Sequence, residues 1–224
     1  MKTGILGGTF NPIHFAHLRI AEEVREKCDL DRVLFLPAAT PPHKPLADDI
    51  PFADRLAMAE LAVTGNPAFA VSDLEGRRPG KSYSVKTLEL LHQAEPEDSF
   101  YFIIGMDSYR SIDTWKDYPR LFELTNLVVS TRPGSPAGDP LELLPVVIRG
   151  EFCYDEPNVL RHRSGNRVIL LEETFLDISS THIRQLVAEG RSIRYLLPEA
   201  VEEYINRYGF YRDREVDGKP PKKG

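Results

Sequence analysis

The sequence is poor in cysteine and contains no long apolar run. Its two cysteines, Cys28 and Cys153, are too few and too far apart for a disulfide framework or a structural zinc site. No stretch stays apolar for the length that a membrane span requires, and the N-terminus lacks the apolar region of a signal peptide. We therefore expect a soluble, cytoplasmic protein that does not bind a membrane.

Positive charge is also in short supply. The chain has 28 Lys and Arg against 34 Asp and Glu, which gives a formal net charge of −6. That balance disfavours a nucleic-acid-binding module, a reading that only the Lys-Lys pair near the C-terminus supports. Hydrophobic residues make up 42% of the 224 residues, so the chain can bury a substantial core.

Short apolar segments alternate with segments of helical spacing. The strand-like segments are residues 32–36, 69–71, 99–104, 127–130 and 168–171, and the helix-like ones are 53–63, 85–92 and 180–189. This alternation indicates βαβ units and a mostly parallel sheet. We predict an α/β fold of the Rossmann-like, doubly wound type, with helices on both faces and a C-terminal helical segment. Ser84 is a candidate N-cap for the helix at 85–92. Pro198 is predicted to occupy the first turn of the last helix.

The alternation of strand-like and helix-like segments is interrupted between residues 133 and 166, where Pro and Gly are frequent. We interpret residues 133–166 as an insertion, in the form of a hairpin, within a single domain that spans residues 1–211. Residues 212–224 are polar and contain two prolines, which predicts a flexible tail. The sequence leaves the oligomeric state open, a homo-oligomer included.

The most informative stretch follows the first apolar segment and reads Gly-Gly-Thr-Phe-Asn-Pro-Ile-His-Phe-Ala-His from Gly7 to His17. A strand, a glycine turn and a helix aim free backbone N–H groups at one point, which suits a phosphate. The stretch lacks the third glycine of a dinucleotide fingerprint and the Gly-Lys-Ser/Thr of a P-loop, so both of those sites are excluded. His14 and His17 either cap and pack the helix or donate hydrogen bonds to phosphate oxygens. A metal site is the weaker reading, because no third ligand lies close in sequence.

Polar residues also follow the later strands, at the edge of the sheet where ligands bind in such folds. Lys44 ends a proline-stiffened segment and is either an exposed lysine or a phosphate contact. Gly105 and Asp107 follow the segment 99–104, where an aspartate can accept hydrogen bonds from ribose hydroxyls. Trp115 is either a core anchor or a stacking platform for a ring.

A late segment, Ile-Ser-Ser-Thr-His-Ile-Arg from Ile178 to Arg184, stands at the start of a helix. Ser180 and Thr181 offer hydroxyls, and Arg184 lies one turn further on the same side. By itself the segment is an ordinary helix cap followed by a surface arginine. Together with the glycine loop and Lys44, the segment predicts a second phosphate-binding site for a polyphosphate ligand.

Taken together, these motifs resemble the nucleotidyltransferase superfamily with His-x-Gly-His and Ile-Ser-Ser-Thr-x-x-Arg elements. Within it they resemble the bacterial nicotinate-nucleotide adenylyltransferases, and the resemblance covers nearly the whole chain. The matching elements stand in the family's order and are Gly7 to His17, Pro-Pro-His-Lys at 41 to 44, Gly105-x-Asp107, Trp115, Arg132-Pro133-Gly134, Ile178 to Arg184 and Tyr-Leu-Leu-Pro at 195 to 198. The runner-up is phosphopantetheine adenylyltransferase, and a non-catalytic nucleotide sensor is the alternative of another class.

The resemblance implies transfer of the adenylyl group of ATP to nicotinate mononucleotide, which gives deamido-NAD and pyrophosphate in NAD biosynthesis. It implies in-line displacement without a covalent intermediate, with ATP and nicotinate mononucleotide as the partners and with Mg²⁺ delivered by ATP rather than held in a dedicated protein site. The implied catalytic residues are His14, His17 and Lys44. The implied ATP-binding residues are Gly7, Gly8, Thr9, Phe10, Gly105, Asp107, Arg132, Ile178, Ser180, Thr181 and Arg184. The implied nicotinate-mononucleotide-binding residues are Thr40, Ser84, Trp115 and Lys116.

Three positions depart from the family's pattern. Asn11 stands in place of an aspartate, and Ala16 in place of the glycine between the two histidines. Lys116 follows Trp115 where the family has a tyrosine. None of the three removes an implied catalytic group. Ala16 adds a methyl group close to the expected ATP site, and Lys116 adds a positive charge close to the expected nicotinate site.

Overall fold

The computed structural model describes residues 1–41, 50–131 and 138–212. In this part of the chain eight strands form one sheet: β1 (Lys2–Gly8), β2 (Arg32–Pro37), β3 (Phe69–Val71), β4 (Ser99–Gly105), β5 (Asn126–Thr131), β6 (Phe152–Glu156), β7 (Val159–His162) and β8 (Arg167–Glu172). The helices are α1 (Phe15–Lys27), α2 (Phe52–Val63), α3 (Ser84–Ala94), α4 (Met106–Arg110), α5 (Tyr118–Leu124), α6 (Ser180–Ala188) and α7 (Glu199–Tyr208). Two 3₁₀ helices lie at Ile112–Thr114 and Val146–Glu151.

The sheet is mostly parallel, as the alternation predicts. The strand order is β3-β2-β1-β4-β5-β8-β7-β6, and the first six of these strands pair in parallel. The order runs outward from β1 through β2 on one side and from β4 on the other. This reversal opens a crevice at the carboxyl ends of β1 and β4, which is where open α/β sheets bind ligands.

Helices cover both faces of the sheet, which confirms the doubly wound prediction. Alternate residues of β4 point to opposite faces: Phe102 and Ile104 join one core, and Ile103 joins the other. The first core receives α3 and α5 through Leu88 and Phe122. The second core receives apolar residues of four helices, namely Val24 of α1, Met58 of α2, Ile183 of α6 and Val201 of α7.

The expected hairpin is present and extends the sheet. β6 and β7 pair antiparallel, and β7 pairs antiparallel with β8, so the hairpin forms one edge of the sheet.

Two local predictions about helix starts were wrong. Ser84 is the first residue of α3 and its side chain makes no capping hydrogen bond, while Tyr83 occupies the N-cap. Pro198 occupies the N-cap of α7 rather than its first turn.

In the described part of the chain, no helix has both the length and the apolar character that crossing a membrane demands.

Candidate active site

The loop after β1 lies at the crevice and folds back on itself. Phe10 has a φ of 49°, a left-handed conformation that is unfavourable for an aromatic residue. Its ring lies under Gly8, where a Cβ would come within 2.7 Å of the ring. Gly8 is therefore required by close packing. Phe10 as a whole residue is 2% exposed and is not among the residues that line either cavity described below, so its predicted ATP contact stays a prediction.

The two predicted histidines lie in direct contact at the start of α1. The backbone N–H of His14 donates a hydrogen bond to Nδ1 of His17 over 3.2 Å. The two rings stack with centroids 3.7 Å apart, and the Phe10 ring meets His17 edge-on at 5.1 Å. Because Nδ1 of His17 accepts a hydrogen bond, a neutral His17 carries its proton on Nε2. His17 thus caps the helix with one nitrogen and keeps a donor on the other.

Both histidines are neutral at physiological pH. Burial lowers the pKa of His14 to about 4. Burial, together with the neighbouring His14, holds the pKa of His17 well below its ordinary value. Nδ1 of His14 is buried and has no hydrogen-bond partner in the described part of the chain. The pair therefore offers N–H donors and one unused ring nitrogen, and it adds no formal positive charge.

Two cavities open on this crevice and meet at His17. One has a volume of about 400 Å³ and the other about 790 Å³. Their walls share five residues, which are His17, Ile20, Gly105, Ser108 and Ser130. A group bound in one cavity can therefore meet a group bound in the other beside the His17 side chain.

The smaller cavity receives most of the residues predicted for nicotinate mononucleotide. Ser84, Trp115 and Lys116 line it. Trp115 packs edge-on against Phe102 at 6.1 Å and also lines the cavity, and its role as a stacking platform stays a prediction. Nζ of Lys116 lies 4.8 Å over the ring of Tyr83, within cation–π range.

Thr40 is not among the residues that line the smaller cavity, but it bonds to one of them. Its N–H donates to Oγ of Ser82 over 3.3 Å, and its carbonyl accepts from the Ser82 N–H over 3.0 Å. Ser82 itself lines the cavity. Gly7 and Gly8 also line the smaller cavity. His17, at the other end of the Gly7–His17 stretch, lines both cavities.

The larger cavity is lined by predicted ATP-binding residues that come after β4 and β8 in the chain. Asp107, Ile178, Ser180 and Thr181 line it together with His14. Gly105 ends β4 at the mouth of both cavities, and a Cβ placed there would have no atom within 4 Å. Gly105 is therefore not required by packing within the protein, and its open side faces the space for a ligand.

The late motif contacts the glycine loop directly. Oγ of Ser180 donates to the carbonyl of Pro12 over 2.8 Å, and Nη1 of Arg184 donates to the carbonyl of Asn11 over 2.9 Å. Arg184 also lies 3.5 Å from Oγ1 of Thr181, on the same side of the helix as predicted. The two motifs come together, and the hydroxyl of Ser180 holds the loop in this conformation. A phosphate contact of these side chains stays a prediction.

Lys44 and Arg132, together with most of the Pro-Pro-His-Lys segment, lie outside the described residues. Of the departures, Ala16 lines the larger cavity, and its side chain is buried. Asn11 is buried as well, and its Oδ1 accepts a hydrogen bond from the Tyr211 hydroxyl over 2.6 Å. Both replacements are thus accommodated in the folded loop.

Sequence reasoning missed two buried acids in the cavity walls. Glu75 lines the smaller cavity, accepts a hydrogen bond from Oγ1 of Thr87 and pairs with Arg78 at 3.2 Å. Glu173 lines the larger cavity and accepts a hydrogen bond from Oγ of Ser130 over 2.6 Å. Burial raises the pKa of Glu173 to about 7. No motif marks either acid: Glu75 pairs with Arg78 three residues later, as many surface ion pairs do, and Glu173 binds Ser130, which is distant in sequence.

Comparison with known proteins gives the family. A model of the cytidylyltransferase-like family matches residues 5–186. A protein of Syntrophotalea carbinolica named "Probable nicotinate-nucleotide adenylyltransferase" is 74% identical over 216 residues, which are 96% of this chain and 99% of that protein. A protein of Geobacter sulfurreducens with the same name is 58% identical over 212 residues, 94% of this chain and 98% of that protein. The chain belongs to the nicotinate-nucleotide adenylyltransferase family.

Solved structures agree on the fold. The nicotinic acid mononucleotide adenylyltransferase of Plasmodium falciparum, complexed with NaAD, superposes with a TM-score of 0.71 at 19% identity and covers 94% of this chain and 98% of its own. The same protein complexed with APC gives a TM-score of 0.69 at 18% identity, with 94% and 96% covered. At this level of identity the likeness extends to the architecture of the nicotinate-nucleotide adenylyltransferase fold and no further.

Proposed function

We propose that the protein transfers the adenylyl group of ATP to nicotinate mononucleotide, giving deamido-NAD and pyrophosphate, as a cytoplasmic step of NAD biosynthesis. The observation that carries the proposal is the meeting of two nucleotide-sized cavities at the neutral His17. The larger cavity takes ATP and the smaller one takes nicotinate mononucleotide. One chain, folded as a single domain over residues 1–211, supplies both.

In the reaction a phosphate oxygen of nicotinate mononucleotide attacks the α-phosphorus of ATP. A new P–O bond forms as the bond from the α-phosphorus to the β-phosphate oxygen breaks, and pyrophosphate leaves with the electron pair. The protein's task is to align the two nucleotides and to stabilise charge that develops on the phosphate oxygens. Nε2–H of His17 donates to the transferring phosphoryl group, and His14 contributes beside it.

The remaining residues divide between the two nucleotides. The backbone of Gly7 and Gly8, which line the smaller cavity, contacts the ATP phosphates where the two cavities meet, and Thr9 and Phe10 follow in the same loop. Lys44 neutralises the phosphate charge. Ser180, Thr181 and Arg184 face the β and γ phosphates. Gly105 and Asp107 take the ribose, and Ile178 and Arg132 lie near the adenine. Thr40, Ser84, Trp115 and Lys116 take nicotinate mononucleotide.

Mg²⁺ enters as the counterion of ATP. Among the described residues no group of three or more His, Cys, Asp or Glu side chains is arranged to hold a metal ion. Mg²⁺ commonly binds through substrate phosphates, water and one or two carboxylates, and Asp107 is a single carboxylate in the wall of the ATP cavity. When bound, the ion screens the negative charge of the triphosphate.

The test is pyrophosphate release. The purified protein is incubated with ATP, Mg²⁺ and either nicotinate mononucleotide, nicotinamide mononucleotide or phosphopantetheine. We expect release with nicotinate mononucleotide above the other two. Release with phosphopantetheine alone would favour the adenylyltransferase of that acceptor, and no release with any acceptor would favour a nucleotide sensor.

Lys116 gives the acceptor assignment a sharper test. Its ammonium group is exposed at the wall of the smaller cavity, where a nicotinate carboxylate would lie. We expect Lys116→Ala to raise KM for nicotinate mononucleotide by about 3–10-fold, in line with an ion pair exposed to solvent, and to leave KM for the amide unchanged. Kinetics with both mononucleotides measure this. An unchanged ratio between acid and amide contradicts the assignment.

A further inference from the structure

Arg55 is a buried charge that the proposed mechanism has not used. It lies on α2, is 0% exposed, and packs in the second core below the glycine loop. Its guanidinium donates to three backbone carbonyls: Thr9 over 2.7 Å, Ala39 over 3.3 Å and Ile50 over 3.4 Å. In the described part of the chain no carboxylate pairs with it. A guanidinium stays protonated in proteins, so this is a buried positive charge, and in the described part of the chain it is met by carbonyl dipoles and by the ring of Phe52, 5.6 Å from its Cζ.

Burying such a charge is costly, and burial lowers the pKa of Arg55. A replacement by apolar residues of similar volume is often neutral or stabilising for a fold. Packing alone therefore does not explain why a charged arginine occupies this buried position. The arginine lies within hydrogen-bond distance of the loop between β1 and α1, and the two ends of that loop line the cavities, Gly8 the smaller one and His14 the larger one.

The contact with Thr9 also fixes the orientation of a peptide group. In a trans peptide the N–H points opposite to the C=O, so a Thr9 carbonyl directed at Arg55 turns the N–H of Phe10 away from Arg55. That N–H has no hydrogen-bond partner in the described residues. The left-handed φ of Phe10 is a conformation that needs support from its surroundings, and the Arg55 hydrogen bond supplies some.

We propose that Arg55 is a positioning residue for ATP: its guanidinium holds the Thr9–Phe10 peptide with the N–H turned toward the triphosphate, and it places a positive charge behind the loop. The inference rests on the proposed location of the triphosphate at the Gly7–His17 loop. It predicts that Arg55 favours ATP in proportion to phosphate charge and has little influence on the nucleoside alone.

Equilibrium binding without the acceptor tests this. Isothermal titration measures the affinity for MgATP and for adenosine in the wild type and in Arg55→Gln. We expect Arg55→Gln to weaken MgATP by at least about tenfold, as for lost hydrogen bonds to a charged group, and adenosine by less than about twofold. Asp54→Asn is the matched control, because Asp54 is the preceding residue of α2 and accepts its hydrogen bond from Tyr204, away from the loop, over 2.9 Å. This control should leave the ratio of the two affinities unchanged.

Arg55→Lys keeps the charge but cannot reach all three carbonyls, so it keeps the proposal testable if the glutamine variant does not fold. We expect it to retain the MgATP to adenosine ratio within about threefold and to lower kcat by about tenfold. An equal loss of MgATP and adenosine in Arg55→Gln, or a lysine variant with unchanged kcat, overturns the inference. A wild type that binds MgATP no more tightly than adenosine instead overturns the proposed phosphate site itself.

Discussion

The helix-capping role of His17 and its proposed role as a phosphate donor are compatible, although its sequence position leaves them as alternatives. Its Nδ1 accepts the N–H of His14 and so closes the start of α1, which satisfies the helix-capping reading. The same bond fixes the proton on Nε2, at the junction of the two cavities. The capping hydrogen bond therefore leaves Nε2–H of His17 available for the proposed contact with the phosphoryl group.

The first prediction follows at this residue. We expect His17→Ala to lower kcat by about 10²–10³-fold, the usual loss for one preorganised donor to a transition state. KM for both nucleotides should change less than kcat. Steady-state kinetics on a variant with native circular dichroism measure this, and Ile20→Ala is a control that changes another residue lining both cavities. A fall in kcat of less than tenfold in folded His17→Ala contradicts the role.

At the scale of elements, the glycine loop is held from several sides by its carbonyl groups. Arg55 of α2 binds the carbonyl of Thr9, Arg184 of α6 binds that of Asn11, and Ser180 of α6 binds that of Pro12. The segment after α7 adds the Tyr211 hydroxyl on the Asn11 side chain. The loop conformation thus depends on helices from the middle and the end of the chain.

Tyr211→Phe tests this anchoring. Tyr211 is 7% exposed and Asn11 is 4% exposed, so the lost hydrogen bond is not replaced by bulk water. We expect the free energy of unfolding to fall by about 1–2 kcal/mol and KM for ATP to rise, because the loop loses one support. Urea unfolding and kinetics measure the two effects. Tyr208→Phe, at a side chain that is 54% exposed, is the control, and equal stability of the two variants would show that the anchor is energetically unimportant.

Periodicity and turn residues predicted the parallel strands, the crevice and the helices other than α4 and α5, because those features depend on short stretches of sequence. The chain after β1 and β4 was expected at the site, and the ends of these strands together with the starts of the helices that follow them line the two cavities. The buried polar groups were not foreseen. Arg55 binds carbonyls of Thr9 and Ala39, and Glu173 binds Ser130, so each pairing depends on the tertiary fold rather than on local spacing. The Ser84 cap was wrong by one residue, since local sequence signals locate a helix end only to within one or two residues.

For the molecule as a whole, buried titratable groups give opposing contributions to stability against pH. The folded-state pKa of His14 is lowered from 6.5 to about 4, so the unfolded state binds more protons between those values. Stability from this group is therefore lost as pH falls from 6.5 toward 4, and His17 acts in the same direction. The pKa of Glu173 is raised from 4.5 to about 7. Its contribution is fully present below pH 4.5 and is lost as pH rises toward 7.

Between about pH 4.5 and 6.5 these slopes partly cancel, which predicts a flat stability profile for the wild type. Glu173→Gln removes the falling contribution, keeps the size of the side chain and can still accept the Ser130 hydrogen bond. We expect the free energy of unfolding of the variant, relative to the wild type, to increase by up to about 3 kcal/mol from pH 4.5 to 7 and then to level off. Urea titrations at half-unit steps of pH measure the difference. Parallel curves for the two proteins would mean that Glu173 titrates at its ordinary pKa. Burial in the wall of the larger cavity would then not keep its carboxyl group neutral.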